Sequence, residues 1–282
     1  MSKPFLKWVG GKTQIIEKVI SLFPRVIKDY HEPFIGGGSV LIALLNNKDI
    51  TVNSVFAYDN NPDLINVYQQ LKTNPLLVCE HVETLVRNHT QTGVNQEKHY
   101  YQVRQAFNDT STSATNLQER AAQFLFLNKT CFRGVYRVGP NGFNVPYGHY
   151  KTMPNILDKN EAVAYSQLFQ RVQFKCCDFE EALSRVSSKE DFVYLDPPYA
   201  PETKTSFVGY TKDGFKKHEQ VFECCHRLRE RNIPFVLSNA CVEMVTSNFQ
   251  NNDYTIQEIE CKRTINSKNP ESKTIEVLIY PK

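Results

Sequence analysis

The apolar residues of the chain follow two periods, and the alternation of these periods predicts an α/β fold. Segments rich in apolar residues predict strands at residues 52–58, 172–176, 192–195 and 234–237, and the segment 192–195 is apolar throughout, as in a buried strand. Apolar residues at helical spacing predict helices at residues 13–22, 39–45, 117–127, 179–186 and 216–231. A strand that leads into a loop is indicated at residues 30–35, and an antiparallel pair at residues 254–259 and 274–280. Strands that alternate with helices are typical of a parallel sheet covered on both faces.

A mainly helical stretch, residues 60–172, interrupts this alternation. Asn61-Pro62 and Asn74-Pro75 each place a capping residue before a proline, which predicts two helix starts. Further along, two apolar segments flank Asn141-Gly142. Because Asn-Gly supplies the positive φ values of tight turns, these segments predict a β-hairpin within the helical stretch.

Composition and charge narrow the class of protein only slightly. The 282 residues carry a net charge of +3 and suffice for one large α/β domain with an insertion. Residues 60–176 hold twelve Lys and Arg against eight Asp and Glu, a surplus that permits a polyanionic partner without requiring one. The eight cysteines form no CxxC motif and lie near no His pair at metal-ligand spacing, so we expect buried reduced thiols and no bound metal.

The chain shows no signal for a membrane or for secretion. None of its apolar runs is long enough to cross a bilayer, and residues 1–5 lack the apolar stretch of a signal peptide. We therefore expect a soluble intracellular protein without membrane contacts.

The turn Asp196-Pro197-Pro198-Tyr199 is the most informative chemical feature of the chain. It follows a predicted buried strand directly, and open α/β sheets bind ligands at the carboxyl ends of their strands. Two prolines remove two backbone donors, so the Asp196 carboxylate and the Pro197 carbonyl are left as acceptors. Such a turn suits a ligand amino group, although Asp and Pro are also common in ordinary surface turns.

Three other strand ends carry groups that suit a ligand. Gly36-Gly37-Gly38 follows the first strand and opens a helix, which offers backbone amides and room for close approach. Asp59 ends the next strand about twenty residues further on, where an acid often accepts hydrogen bonds from a ribose. A third strand leads into Asp178-Phe179. If the strands are parallel, all four groups lie at one edge of the sheet, and the absence of a G-x-G-x-x-G pattern argues against a dinucleotide.

Five motifs together make the chain resemble the Dam-type DNA adenine-N6 methyltransferases of the D12 class. These motifs are Phe5-Leu6-Lys7-Trp8-Val9-Gly10-Gly11-Lys12, Glu32-Pro33-Phe34-Ile35-Gly36-Gly37-Gly38-Ser39, Asp59-Asn60-Asn61-Pro62-Asp63-Leu64-Ile65-Asn66, Phe143-Asn144-Val145-Pro146-Tyr147-Gly148 and Asp196-Pro197-Pro198-Tyr199. They span almost the whole length. The resemblance implies a Rossmann-like methyltransferase sheet from residues 1–59 and 173–282, and an inserted, mainly helical target-recognition domain with a β-hairpin from residues 60–172.

The resemblance also implies S-adenosylmethionine as cofactor and assigns residues to its pocket. Trp8, Lys12, Asp59 and Asp196 are then expected to contact the cofactor, and the other pocket residues are Phe34, Gly36, Gly38, Asp178 and Phe179. The chemistry of the residues agrees with this assignment. Asp59 suits the ribose hydroxyls, Asp178 the adenine amino group, and Lys12 the methionine carboxylate or a neighbouring acid. For Trp8, core packing is the plain alternative.

Double-stranded DNA is the partner that the resemblance implies, and the insertion is expected to recognise it. The implied DNA contacts are Lys7, Phe132, Arg133, Val135, Arg137, Pro146 and Tyr150. Among them, Arg137, Pro146 and Tyr150 are expected to recognise the target, Lys7 to add a guanine contact, and Phe132 to insert at the gap left by a flipped base. Arg133 and Val135 stand where the relatives usually carry Asn and Leu, which leaves open whether the site is GATC or a closely related sequence.

The acceptors of the turn indicate how the reaction would proceed. Adenine N6 is a poor nucleophile because its lone pair is delocalised, and acceptors that hold its hydrogens favour a nitrogen with an available lone pair. A stacked base is out of reach, so the target must flip, with Pro197, Pro198 and Tyr199 forming the pocket and the Tyr199 ring offering a stacking surface. Residues 200–218, with Ser206, Gly209 and Tyr210, are predicted to form a lid.

The sequence therefore predicts an adenine-specific DNA methyltransferase, with two alternatives. A cytosine-N4 methyltransferase would more often carry Ser in place of Asp196, and an inactive DNA-binding regulator would not need the acid and the tyrosine. We expect the free protein to be a monomer in the cytoplasm, at a bacterial nucleoid or at viral DNA in a host cell. Replication marking, restriction protection and viral DNA marking all remain open as roles.

Overall fold

A computed structural model describes residues 4–109, 116–201, 214–250, 252–262 and 273–282. Nine strands lie within these ranges: β1 (Val26–Glu32), β2 (Thr51–Asp59), β3 (Val138–Gly139), β4 (Gly142–Phe143), β5 (Val172–Cys176), β6 (Phe192–Leu195), β7 (Phe235–Ala240), β8 (Tyr254–Lys262) and β9 (Lys273–Pro281). Seven of them form the central sheet, and β3 and β4 form a separate hairpin.

The central sheet is mostly parallel. Its strand order is β5-β2-β1-β6-β7-β9-β8, and every neighbouring pair among the first five strands is parallel. Strand β9 runs antiparallel between β7 and β8, which confirms the predicted antiparallel end. The four residues of β6 are all buried, as expected for a central parallel strand covered on both faces. The predicted α/β fold class is confirmed.

Ten α-helices are described: α1 (Ile16–Ser21), α2 (Ser39–Asn46), α3 (Pro62–Thr73), α4 (Pro75–Thr90), α5 (Gln96–Asn108), α6 (Leu117–Thr130), α7 (Lys159–Phe169), α8 (Phe179–Ser184), α9 (His218–Glu230) and α10 (Glu243–Thr246). The predictions missed α5, α7 and α10. The sequence carries start signals for two of these, because Asn95 caps α5 and Asp158 with Glu161 forms a capping box at α7.

The hairpin is shorter than predicted and is held by a helix. Strands β3 and β4 pair over two residues each, and only Gly142 of the Asn141-Gly142 pair has positive φ. Asn108, the last residue of α5, accepts a hydrogen bond from the Phe143 amide and donates one to the Phe143 carbonyl, at 2.8 and 2.9 Å. A side chain at Gly142 would collide with Asn108, so the glycine serves this contact as well as the turn.

One hydrophobic core joins the sheet to the helices of the insertion. A single cluster of buried residues contains Val55 of β2 and Phe174 of β5 together with Phe126 of α6. Helix α3 packs directly on the sheet, where the Tyr68 ring stacks on Phe174 at 5.0 Å. Lys72 in the same helix donates to the Val172 carbonyl at 2.8 Å. The domain boundaries at residues 59/60 and 172/173 stay a prediction.

Two expectations from composition concern the exterior and the thiols. Across the described ranges, every helix is too short or too polar to span a bilayer. Five of the eight cysteines are buried, but Cys176 at the end of β5 is exposed, so the expectation of buried thiols is wrong at this position. Its strand ends at the sheet edge, where the chain leaves the core.

Candidate active site

The predicted strand ends meet at one edge of the sheet. Because β5, β2, β1 and β6 are neighbours and parallel, their carboxyl ends face the same way. Asp59 is the last residue of β2, whereas Asp178 and Asp196 follow β5 and β6. The glycine turn follows β1. Parallel pairing therefore brings together groups that lie up to 160 positions apart in the chain.

An ion pair between Lys12 and Asp196 lies at the centre of this edge. The Lys12 Nζ lies 2.6 Å from Asp196 Oδ2, and the Lys12 side chain is 2% exposed whereas that of Asp196 is 21% exposed. The same ammonium donates to the Gly10 carbonyl at 2.7 Å. The other Asp196 oxygen, Oδ1, is buried without a hydrogen-bond partner among the described residues. A ligand with a donor at this position would satisfy it.

Burial raises the pKa of Asp196 to about 6, although the adjacent Lys12 ammonium opposes the rise and Glu276 adds to it. The carboxyl is therefore ionised above pH 6 and neutral below it. Burial also raises the pKa of Glu32 to about 8, with Asp196 contributing by charge repulsion. Glu32 ends β1 and accepts a hydrogen bond from the Tyr30 hydroxyl at 2.7 Å. At neutral pH the ionised acid at the centre of the edge is thus Asp196 rather than Glu32.

Two residues that the sequence did not indicate hold the Asp-Pro-Pro-Tyr turn. Asn239 of β7 is fully buried, and its Oδ1 accepts a hydrogen bond from the Ala200 amide at 3.0 Å. Glu276 of β9 accepts a hydrogen bond from the Tyr199 hydroxyl at 2.7 Å. The Lys12 ammonium lies 4.8 Å from the centre of the Tyr199 ring. These contacts therefore hold the turn at the Asp196 carboxylate, at the Tyr199 side chain and at the Ala200 amide that follows it.

The glycine turn packs on aromatic side chains as well as facing the edge. Side chains at Gly36 and Gly37 would collide with Trp8, and one at Gly38 would collide with the Tyr68 hydroxyl. Tyr68 donates to the Gly36 carbonyl at 2.9 Å. Close approach of a ligand is thus not the sole reason for glycine here, because Trp8 and Tyr68 also require it. Trp8 stacks in turn on Tyr136 at 5.5 Å.

Asp59 joins the glycine turn to the start of α3. Its two oxygens accept hydrogen bonds from the Gly36 amide at 3.1 Å and from the Asn61 amide at 3.0 Å. Burial raises the pKa of Asp59 to about 6, and these backbone hydrogen bonds limit the rise. Each carboxylate oxygen has a further lone pair, so the group keeps capacity for a ligand hydroxyl.

Asp178 and three aromatic rings form a second group of side chains at the carboxyl ends of the strands. Phe34 stacks on Phe179 at 5.4 Å, and Phe215 meets Phe34 edge-on at 6.1 Å. Asp178 caps α8, and its second oxygen accepts from the Lys217 ammonium at 3.1 Å. Phe215 and Lys217 lie within the predicted lid segment, but the sequence did not indicate their contacts with Phe34 and Asp178, which depend on how the chain folds before α9.

Most of the predicted lid, residues 200–218, lies outside the described ranges. Ser206, Gly209 and Tyr210 lie outside the described residues.

The predicted DNA contacts form two groups, which consist of insertion residues together with Lys7 of the N-terminal segment. In the first, Lys7 donates to the Tyr150 hydroxyl at 3.2 Å, and the Phe132 amide donates to the Pro146 carbonyl at 2.8 Å. Arg133 lies over the Phe132 ring, which is 48% exposed.

The second group lies on the hairpin. The Arg137 Nε donates to Asn144 Oδ1 at 2.7 Å, and both side chains are exposed. Val135 lies between the two groups, where its carbonyl accepts a weak hydrogen bond from the Cys131 thiol at 3.3 Å. Helix α5 supports this region, because its Tyr100 and Arg104 both donate to the Val145 carbonyl.

Comparisons with known proteins identify the family to which the chain belongs. The model of the D12 class N6 adenine-specific DNA methyltransferase family matches residues 8–265. The Type II methyltransferase M.MjaIII of Methanocaldococcus jannaschii is 38% identical, over 96% of this chain and 95% of its own. The Type II methyltransferase M1.LlaDCHI of Lactococcus lactis is 34% identical, over 98% and 94%. The DNA adenine methylase of Haemophilus influenzae is 30% identical, over 96% and 90%. The chain belongs to the D12 class of N6 adenine-specific DNA methyltransferases.

Proposed function

We propose that the protein transfers a methyl group from S-adenosylmethionine to N6 of adenine in duplex DNA, at GATC or a closely related short site. The target base flips into a pocket formed by Asp196, Pro197, Pro198 and Tyr199. The observation that carries this proposal is the buried Asp196 carboxylate, which is held by Lys12 through one oxygen and has no described partner at the other.

The residues at this edge fit S-adenosylmethionine, the cofactor expected for a methyltransferase of this class. Asp59 has lone pairs for the ribose hydroxyls, and the rings of Phe34 and Phe179 form an apolar wall for the adenine. Asp178 lies next to that wall. When bound, S-adenosylmethionine would supply an electrophilic methyl group: transfer breaks the bond from methyl to sulfonium sulfur, forms the bond to N6 and finally releases one N6 proton to water. Trp8 packs against the glycine turn at Gly36 and Gly37.

Asp196 and Pro197 act on the target nitrogen. The Asp196 Oδ1 and the Pro197 carbonyl accept hydrogen bonds from N6, which withdraws the lone pair from conjugation with the ring. Asp196 then stabilises the positive charge that grows on N6, an interaction stronger in the transition state than in the ground state. Lys12 keeps the carboxylate in place through Oδ2. Because the site is largely buried, water competes little for these contacts.

Sequence recognition follows from the two groups of predicted DNA contacts. Arg137 uses Nε for Asn144, whereas a bidentate grip on guanine O6 and N7 uses the other guanidinium donors. Asn144 therefore orients the guanidinium without consuming the donors needed for DNA. Phe132, exposed beside Arg133, is placed to fill the gap that the flipped base leaves.

Transfer of a labelled methyl group from S-adenosylmethionine to duplex DNA tests the proposal. Digestion of the product to nucleosides should yield N6-methyladenine, and mapping of the methylated positions should give GATC or a related site. N4-methylcytosine would favour the cytosine alternative. DNA binding without methyl transfer would favour an inactive regulator.

Asp59→Ala should lower the affinity for S-adenosylmethionine about 10- to 150-fold, because one hydrogen bond to an ionised acceptor contributes about 1.5 to 3 kcal/mol. Calorimetric titration at pH 8, where Asp59 is ionised, measures the effect. Asp59→Asn is the matched variant, since its amide oxygen still accepts one of the two backbone hydrogen bonds. Unchanged affinity in Asp59→Ala would place the ribose contact elsewhere.

Arg137→Ala should relax sequence choice more than it weakens DNA binding in general. We expect discrimination at one base pair to fall by about 1 to 3 kcal/mol, since phosphate contacts carry no sequence information. Methylation rates on GATC duplexes and on duplexes substituted at each position give the measurement. Arg171→Ala, which removes another exposed arginine, serves as the control. A uniform loss on all duplexes, with weaker salt dependence, would instead make Arg137 a phosphate contact.

A further inference from the structure

Glu276 contacts the proposed base pocket from a distant part of the chain. It lies on β9, opposite Ala240 of β7 and Ile259 of β8. Its Oε2 accepts a hydrogen bond from the Tyr199 hydroxyl at 2.7 Å, and both side chains are half-buried. This distance is the usual one for a hydrogen bond between a hydroxyl and an oxygen acceptor.

The hydrogen bond with Glu276 anchors the far end of the Tyr199 side chain. The backbone around Tyr199 is already fixed, because Pro198 precedes it and the Ala200 amide is held by buried Asn239. Lys12 covers the ring at 4.8 Å from its centre. The hydroxyl contact with Glu276 then fixes the far end of the ring axis, opposite the end that the backbone holds. A ring whose axis is held at both ends has less conformational freedom to lose when a base stacks on it.

We propose that Glu276 is a positioning residue that orients the Tyr199 ring as the stacking surface for the flipped adenine. This inference rests on the proposed function, because it assigns Tyr199 to the base pocket. Glu276 acts through Tyr199 and has no contact of its own with the reacting atoms. Its hydrogen bond with Tyr199, three residues after Asp196 in the same turn, places it at the same pocket.

Four variants separate positioning from charge: Glu276→Ala, Glu276→Gln, Tyr199→Phe and the double variant Tyr199→Phe/Glu276→Ala. Glu258→Gln, an exposed acid on neighbouring β8, is the matched control. The measurements are the single-turnover rate of methyl transfer and the fluorescence of 2-aminopurine placed at the target adenine. Cofactor affinity and the melting temperature are measured alongside.

We expect Glu276→Ala to slow methyl transfer about 10- to 100-fold, the loss of one hydrogen bond to a charged group, and to change the fluorescence of the flipped base. Tyr199→Phe should lose about as much, and the double variant should match the single ones within about twofold, because both changes remove the same bond. Glu276→Gln keeps an acceptor about half as strong, so it should recover about half of the loss on a logarithmic scale. Cofactor affinity should stay within about twofold in all variants.

Several results would overturn the inference. A normal rate in Tyr199→Phe beside a slow Glu276→Ala would show that charge acts alone, as would equal losses in Glu276→Gln and Glu276→Ala. Multiplying losses in the double variant would show independent roles. A lower melting temperature with an unchanged rate would show a purely structural role. Absence of methyl transfer and of base flipping in the unaltered protein would instead overturn the proposed function, and this inference with it.

Discussion

Asp196→Asn should slow single-turnover methyl transfer at pH 8 by about two to three orders of magnitude, the cost of removing one preorganised charge from a transition state. The amide is neutral and cannot offset the positive charge that grows on N6. Its oxygen still accepts a hydrogen bond from Lys12, so the fold should persist. Rapid-quench measurement with saturating cofactor and duplex gives the rate, and Asp49→Asn, an exposed acid far from the edge, is the control.

The pH dependence identifies the responsible carboxyl. Because burial raises the pKa of Asp196 to about 6, the rate of the unaltered protein should fall as the pH drops through 6 and the carboxylate becomes neutral. The pKa of Asp59 is also raised to about 6, so the profile alone does not separate the two acids. The residual activity of Asp196→Asn should lack the part of this fall that belongs to Asp196. A loss of less than about tenfold, or roughly 1.4 kcal/mol, would remove Asp196 from the proposed role.

Lys12→Met should lower the free energy of unfolding by about 3 to 5 kcal/mol at pH 8, because it leaves the buried Asp196 carboxylate without its cation. Methyl transfer should also fall, since Asp196 loses the group that holds it. Without Lys12 the pKa of Asp196 rises further above its unfolded value, so the folded state gains stability as the acid takes up a proton. The deficit should therefore shrink as the pH is lowered from 8 to 5. Urea denaturation across this range measures it.

The double variant Lys12→Met/Asp196→Asn tests whether the pair acts as a unit. With both charges removed, no buried ion is left without a partner, so the double variant should be more stable than Lys12→Met alone. Its methyl transfer should stay as low as that of Asp196→Asn. If Lys12→Met had the same free energy of unfolding as the unaltered protein at pH 8, the ion pair would contribute little to stability.

Local sequence patterns predicted much of the secondary structure. The bounds of β5 and β6 were predicted to the residue. Strand β6 is apolar throughout because it is buried on both faces, whereas edge strand β5 alternates apolar and polar residues. The pattern failed where local signals were polar: α5 and α7 start at capping residues, and their apolar faces are narrow. The hairpin was overextended for a related reason. Its turn residues were visible in the sequence, but Asn108 of α5 determines where pairing stops.

The sequence by itself determined the chemical groups of the site and the strand ends that present them. Asp59, Asp178 and Asp196 lie at or just after the ends of predicted strands, so their place at one edge required only that the strands be parallel. The tertiary structure alone decided how these groups are held. Lys12 meets Asp196 across 184 positions and Tyr199 meets Glu276 across 77. Periodicity reports which side chains are buried along one element, whereas a hydrogen bond between two elements depends on how they pack. The partners Glu276, Asn239, Phe215 and Lys217 therefore appeared only with the folded chain.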